Sequence, residues 1–371
     1  MPYIVDVFNA LLADFGDNAG LRNYEEPVDV RNLSNSVSRT AVEALLEVCD
    51  ANTKIVARYY RLKRRLLGLR RLYDYDRYAP LPFSTGKTSL RGAQDLIVSA
   101  YQDFSPRLGE IARRAFTEGW IDSPPSQGKR GGAFCYFSPV GHPWVMLSWA
   151  GSRRDVSVAA HELGHAAHDV LYKDVSILQA YPGMPMAETA SVFGEQLVFD
   201  ALMRQITNPR EKLALLYGTL EDSFATVFRQ AAFTRFEQRL HEDRAESELS
   251  SDQIRQHWMD TQNAMFRGSV TLTRNYSWWW VYIHHFIHYP FYCYAYSFGN
   301  LLVLALYAKY KKEGESFVPK YLNLLAAGGS DAPANLLKDF DIDIEDPAFW
   351  QGGMEILRGM VEEAETLASQ I

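Results

Sequence analysis

Two histidines four residues apart, with a glutamate directly after the first, constrain this chain more than any other feature: His161-Glu162-Leu163-Gly164-His165. A helix turns once every 3.6 residues, so positions four apart stack on one face. His161 and His165 can then grip one metal ion while Glu162 projects beside it. This is the H-E-x-x-H arrangement of zinc hydrolases, in which two neutral imidazoles hold the metal and the carboxylate works on its water. The flanks read as helix too, from Asp155 through Ala166-Ala167-His168-Asp169, with Gly164 the only breaker. Glycine costs about 1 kcal/mol against alanine in an open helix. Its presence is understandable if a neighbouring helix or a substrate backbone must approach closely there.

A third ligand has to come from elsewhere. Tyr181-Pro182-Gly183-Met184-Pro185 reads as a turn, and a second helix begins at Met186-Ala187-Glu188. Helix, reversal and returning helix carry Glu188 back to the two histidines. His168 shares the His165 face, but three ligands within two turns of one straight helix would strain tetrahedral geometry, so it is expected to pack or to support a ligand. The metzincin pattern fails, because the position its third histidine needs is Leu171. Glu195 lies two turns after Glu188 on the same face and is expected to accept the N–H of a ligand histidine, fixing its ring.

The run from His161 to His168, followed by Glu188-x-x-Ser191-x-x-x-Glu195, resembles the thimet/oligoendopeptidase F family of zinc oligopeptidases. The oligoendopeptidase F branch is further matched by Tyr59-Tyr60-Arg61-Leu62-Lys63, Tyr78-Ala79-Pro80-Leu81 and Gly128-Lys129-Arg130-Gly131-Gly132-Ala133. Downstream, Pro290-Phe291-Tyr292-Cys293-Tyr294-Ala295-Tyr296 and Ala327-Gly328-Gly329-Ser330 add to the match. The likeness runs from about residue 35 to the C-terminus. It implies a mainly α, gluzincin-type helical metallopeptidase with a small β-hairpin or sheet beside the zinc helix and a deep substrate cleft. It also implies one Zn2+ ion and an oligopeptide substrate, the latter from the family's enclosed channel. Family members usually carry a further helical lobe before the region matching residue 35, so this chain is expected to be a natural short form or a fragment. By the same resemblance a His and Tyr cluster supplies an oxyanion donor and grips substrate. His284, Tyr289 and Tyr296 keep the family spacing, with His285 and Tyr292 as close competitors.

The expected mechanism has Glu162 accept a proton from water as it attacks the scissile carbonyl, then pass it to the departing amine. Two rival readings stand beside it: a zinc aminopeptidase, and a non-catalytic remnant that binds peptides or a partner.

Residues 134–137 and 144–149 read as short strands around the turn Pro139-Val140-Gly141-His142-Pro143. A strand just ahead of the zinc helix suggests that an extended peptide adds to its edge, with Val145 and Leu147 in contact. The rest is mostly helix, at residues 39–70, 89–118, 209–240, 251–267 and 346–369. Two parts are expected: an N-terminal helical segment, residues 1–85, packed on a catalytic stretch, residues 86–371. Residues 278–310 are aromatic, yet His284, His285, His288, Pro290 and Asn300 interrupt any membrane span, so a buried helix pair lining a cleft is expected.

Composition enters as a set of exclusions. At 371 residues and 47% hydrophobic content the chain can bury a large core. A formal charge of −7 argues against nucleic acid, so Arg58, Arg61, Lys63, Arg64, Arg65, Arg70 and Arg71 are read as a solvated helix face. Thr85-Gly86-Lys87-Thr88 is no phosphate loop, because the glycine it needs is Leu81. Cys49, Cys135 and Cys293 lack metal-ligand spacing and suggest a reducing compartment. The first residues have no basic stretch or apolar run of a signal peptide, which makes the cytoplasm the expected location. Homo-oligomerisation is left open.

Overall fold

The computed structural model describes residues 2–83, 86–172 and 174–371. Residues 84 and 85, where the N-terminal segment was expected to end and where the dismissed phosphate loop begins, lie outside it. The chain divides into two units. The first comprises Met1–Pro82, Leu220–Phe298 and Ile344–Gln351, and the second Phe83–Thr219, Gly299–Asp343 and Gly352–Ile371.

Helix starts follow the capping residues. Ser38, Ser89, Ser152 and Ser250 each accept a backbone N–H from the first turn of the helix they open. Helix ends follow the breakers, and here three expected long helices are cut. Residues 39–70 become Arg39–Ala51 and Lys54–Leu66, because Asn52 turns its side chain back to the Val48 carbonyl at 2.9 Å. Residues 89–118 become Leu90–Phe104 and Pro106–Thr117. Ser105 stands before a proline and is pushed into extended backbone, φ −152° and ψ 123°. The stretch from 209 parts at Val227, whose backbone departs from helix at φ −94° and ψ −72°, while its carbonyl accepts both the Ala231 N–H at 3.0 Å and the Ser297 hydroxyl at 2.8 Å.

In the first unit, Phe8 of the helix Pro2–Leu21 stacks on Trp280 at 4.9 Å. Phe233, Phe236, Trp258, Tyr276 and Phe286 belong to the same buried cluster. The expected solvated basic face needs one correction. Arg61, Arg64, Arg65, Arg70 and Arg71 are exposed, but Lys63 is buried and pairs with Glu221 at 2.6 Å. A lysine reaches that depth only with an acidic partner and a carbonyl to take its protons, here Glu221 and Arg77 O.

The aromatic segment is not a simple helix pair. It runs as a 3-10 helix, Arg274–Tyr282, a single helical turn, His285–His288, and then the long helix Tyr294–Glu313. Pro290 has no N–H to continue a helix, and Phe291 follows it in the left-handed region at φ +56°. No helix among the described residues is long and apolar enough to cross a membrane.

The second unit holds a small sheet: β1 (Ile121–Asp122), β2 (Phe134–Tyr136) and β3 (Trp144–Met146), in the order β1-β3-β2. β2 and β3 form the expected antiparallel hairpin, while β1 joins β3 in parallel. This overturns the edge-strand expectation for residues 144–149. β3 is the middle strand: the Val145 amide, and the Leu147 amide just past its end, bond the Trp120 and Asp122 carbonyls, and both side chains are buried. The free edge beside the helix bearing the histidines is β2.

Candidate active site

The motif helix is Arg153–Leu171, opened by a reciprocal cap in which Ser152 accepts from Asp155 N and Asp155 accepts from Ser152 N. Gly183, at φ +70°, turns the chain into a short helical turn, Met184–Ala187. Glu188 sits at the break before the returning helix Thr189–Gln205. The two long helices touch backbone to backbone. A Cβ on Gly164 would lie 2.5 Å from the Ala190 carbonyl oxygen and from Ser191 Cα. That is the close approach the glycine's presence implied. A second tight point lies at Gly194, where the Tyr101 ring fills the space a side chain would take while its hydroxyl donates to Ala160 O at 2.6 Å.

The crossing brings three donor groups to one place. Glu188 Oε2 is 3.3 Å from His161 Nε2 and 3.4 Å from His165 Nε2, and one ligand atom from each residue lies within 4.8 Å of the others. The imidazoles stand nearly perpendicular, at 83°. The outer contacts are oriented as a metal site needs. Glu195 Oε2 is 3.4 Å from His161 Nδ1, leaving Nε2 to face inward. Ser191, wholly buried, donates its hydroxyl to Glu188 Oε2 at 2.6 Å.

Electrostatics follow this packing. Burial works against a charge on His161, but hydrogen bonds to Glu188 and Glu195 outweigh it and hold the imidazole up at about 10. Burial likewise opposes the Glu188 carboxylate, and the two histidines pull it well below the usual range. A cation is therefore favoured between these groups, and a divalent ion would take the place of the proton. Glu162 is buried, which raises its carboxyl, while the neighbouring imidazoles and a hydrogen bond from the Cys135 backbone N–H hold it down.

His168 stays out of the group. It is buried against Tyr172, and desolvation takes its imidazole down to about 3. The expected Tyr and His residues form a cluster of their own in the first unit. His285 Nε2 lies 3.2 Å from Tyr296 Oη and its ring stacks on Tyr292, while His284 sits against His285 with ring centres 4.1 Å apart. Tyr289 is exposed, 6.0 Å from Tyr292 between ring centres.

Sequence reading missed Cys135, whose backbone N–H bonds the Glu162 carboxylate, and it assigned no task to Ser191 or Tyr101. The Ser191 signal was present, since it sits three residues after Glu188 and so one turn along the same helix face. No local pattern marks the other two.

Two imidazoles and a carboxylate that could hold one metal ion, with a separate buried carboxylate beside them, thus stand together where two helices cross. The sequence profile of Peptidase family M3 matches residues 5–356, and the chain belongs to that family. It is 25% identical over 359 residues to oligopeptidase PepF of Bacillus subtilis (strain 168), covering 95% of this chain and 53% of that protein. It is 27% identical over 363 residues to the oligoendopeptidase F homolog of Borreliella burgdorferi, covering 96% and 61%. A solved structure from Chlamydophila abortus superposes with a TM-score of 0.86 at 26% identity, over 96% of this chain and 62% of that one. The oligoendopeptidase-F of Enterococcus faecium shares the fold, with a TM-score of 0.78 at 21% identity and coverage of 100% and 61%. The chain thus spans between half and two thirds of the length of these relatives.

Proposed function

We propose that the chain is a zinc-dependent endopeptidase that hydrolyses internal bonds of oligopeptides. One observation carries the proposal: a His–His–Glu group with its donor atoms within 4.8 Å, beside a buried carboxylate that is not part of it. The donor set fits the ion. Zinc takes imidazole and carboxylate ligands in tetrahedral geometry, and catalytic sites use three protein ligands and leave one position open. Zinc bound by His161, His165 and Glu188 supplies a Lewis acid and brings the pKa of water down to about 7.

The remaining steps belong to the chain's own groups. Glu195 fixes the His161 tautomer, and Ser191 holds the Glu188 carboxylate in place. Glu162 takes the proton from the attacking water and returns it to the leaving amine. An extended substrate adds to the free edge of β2 through main-chain hydrogen bonds, largely regardless of its side chains. This replaces the docking role first given to Val145 and Leu147. The family resemblance assigns an oxyanion donor to His284, His285, Tyr289, Tyr292 or Tyr296; such a donor is typically worth about 2.7–4 kcal/mol. In this reading residues 86–371 carry the machinery, and three free thiols support a reducing, cytoplasmic setting. The relatives' names support an oligopeptide as substrate.

The test is cleavage of an internally quenched, end-blocked peptide, with chelator and zinc add-back. Internal cleavage that a chelator stops and zinc restores is expected. An aminopeptidase would spare the blocked peptide. No cleavage by folded, zinc-loaded protein would overturn the proposal and leave a peptide-binding module.

A further inference from the structure

The first unit contains a cavity of about 670 Å3 that the reaction above does not use. Its volume lies within the range of small-molecule sites, roughly 300–1,000 Å3. The floor is apolar, made of Phe228, Ala231, Ala232 and Met265, all buried. The rim carries three guanidinium groups, from Arg235, Arg239 and Arg267, against one lining carboxylate, Asp50.

The arginines are not equivalent. Arg235 is committed, paired to Glu43 at 2.6 Å and to Asp50 at 2.9 Å. Arg239 stands one turn further along the same helix, Phe228–Glu246, and is exposed. Like charges at this spacing repel by a few tenths of a kcal/mol. Arg239 makes no hydrogen bond or salt bridge among the described residues, and the Asp50 carboxylate, already bonded to Arg235, only attracts it at longer range. Arg267 caps the helix Ser251–Phe266 in the left-handed region, φ 48°, where a side chain costs energy that glycine would not. Its guanidinium makes one bond, to Thr53 Oγ1 at 3.2 Å, which leaves other N–H groups to face a ligand. An arginine with no hydrogen bond and a strained one therefore line the same cavity above an apolar floor.

We propose that this cavity binds a small organic anion with an apolar body. Arg239 and Arg267 take its carboxylate in charge-assisted hydrogen bonds, and the apolar part lies on Phe228 and Met265. The metal group lies in the other unit, so the two sites share no residue.

Calorimetric titration of the intact chain with N-acetyl-leucine tests the proposal, with N-acetyl-leucinamide and inorganic phosphate as comparison probes. Saturable binding of N-acetyl-leucine is expected, weakened about tenfold or more by Arg239→Gln and by Arg267→Gln. His165→Ala, which disables the metal group, should leave it unchanged. Both arginines are exposed, so melting curves of the two variants should match the parent. Equal binding of the amide would mean that no carboxylate is read, and equal binding of phosphate would mean that the floor is idle. Either result overturns the proposal, as do absent saturation, full binding by both arginine variants, or loss of binding in His165→Ala.

Discussion

In the proposed reaction, metal binding and turnover are expected to part company at Glu162. The Glu162→Gln variant keeps the shape and an oxygen to accept the Cys135 N–H, but it has no carboxylate to take a proton. Zinc content measured by atomic absorption should be unchanged, while peptide hydrolysis falls by about 10²–10⁴-fold. Ser191→Ala should do the reverse. Loss of the 2.6 Å bond to Glu188 weakens zinc affinity by about 10–100-fold in a competitive chelator titration, with turnover at saturating zinc little altered. Gly164→Ala sets two effects against each other. Helix propensity favours alanine by about 1 kcal/mol. Overpacking typically costs about 1–3 kcal/mol, and here the atoms met at 2.5 Å are backbone of the facing helix, which cannot swing aside. Overpacking wins, and the variant should melt below the parent.

At the scale of an element, the segment carrying the candidate tyrosines is pinned from behind. Phe291 is left-handed, and its N–H donates to Glu237 Oε1 at 2.8 Å, while Arg31 bonds the Pro290 carbonyl. Burial raises the Glu237 carboxyl to about 8, against the Phe291 N–H and the Arg31 charge. Its folded pKa lies above its unfolded one, near 4.5, so its contribution to stability is complete below that value and is lost as pH rises through about 8. Between those limits the parent should lose melting temperature faster than Glu237→Gln, which still accepts the Phe291 N–H. None of this was legible in the sequence, because the partners are brought together only by tertiary folding. The candidate donor group was legible for the opposite reason: His161 and His165 stand four apart, Glu195 stands seven after Glu188, and helix periodicity is fixed geometry. Strand order is not. Alternation found β2 and β3, but nothing in it reveals that the two-residue β1 takes the far side of β3 and leaves the free edge to β2. The cuts at Ser105 and Val227 divide the same way. Pro106 announces the first, whereas the second is a local backbone departure at Val227 with no proline or glycine beside it.

For the molecule as a whole, the division into two units predicts an uneven response to chelation. A ligand stabilises only what it binds. Removing zinc should release amide protection in Arg153–Leu171 and Thr189–Gln205, read by hydrogen exchange, and leave Phe228–Glu246 and Ser251–Phe266 little changed. Uniform loss of protection would show that the units unfold together. The contact at Gly164 has a further reach. Ligand spacing is set where two backbones cross, not by the length of chain that joins them. The joining loop is anchored late, by the Gly329 N–H on Gln179 O, and its tip at Ile177 and Leu178 stands in solvent. That tip is where the scaffold can accept an insertion or a grafted recognition sequence, changing what the molecule meets while its chemistry stays in register.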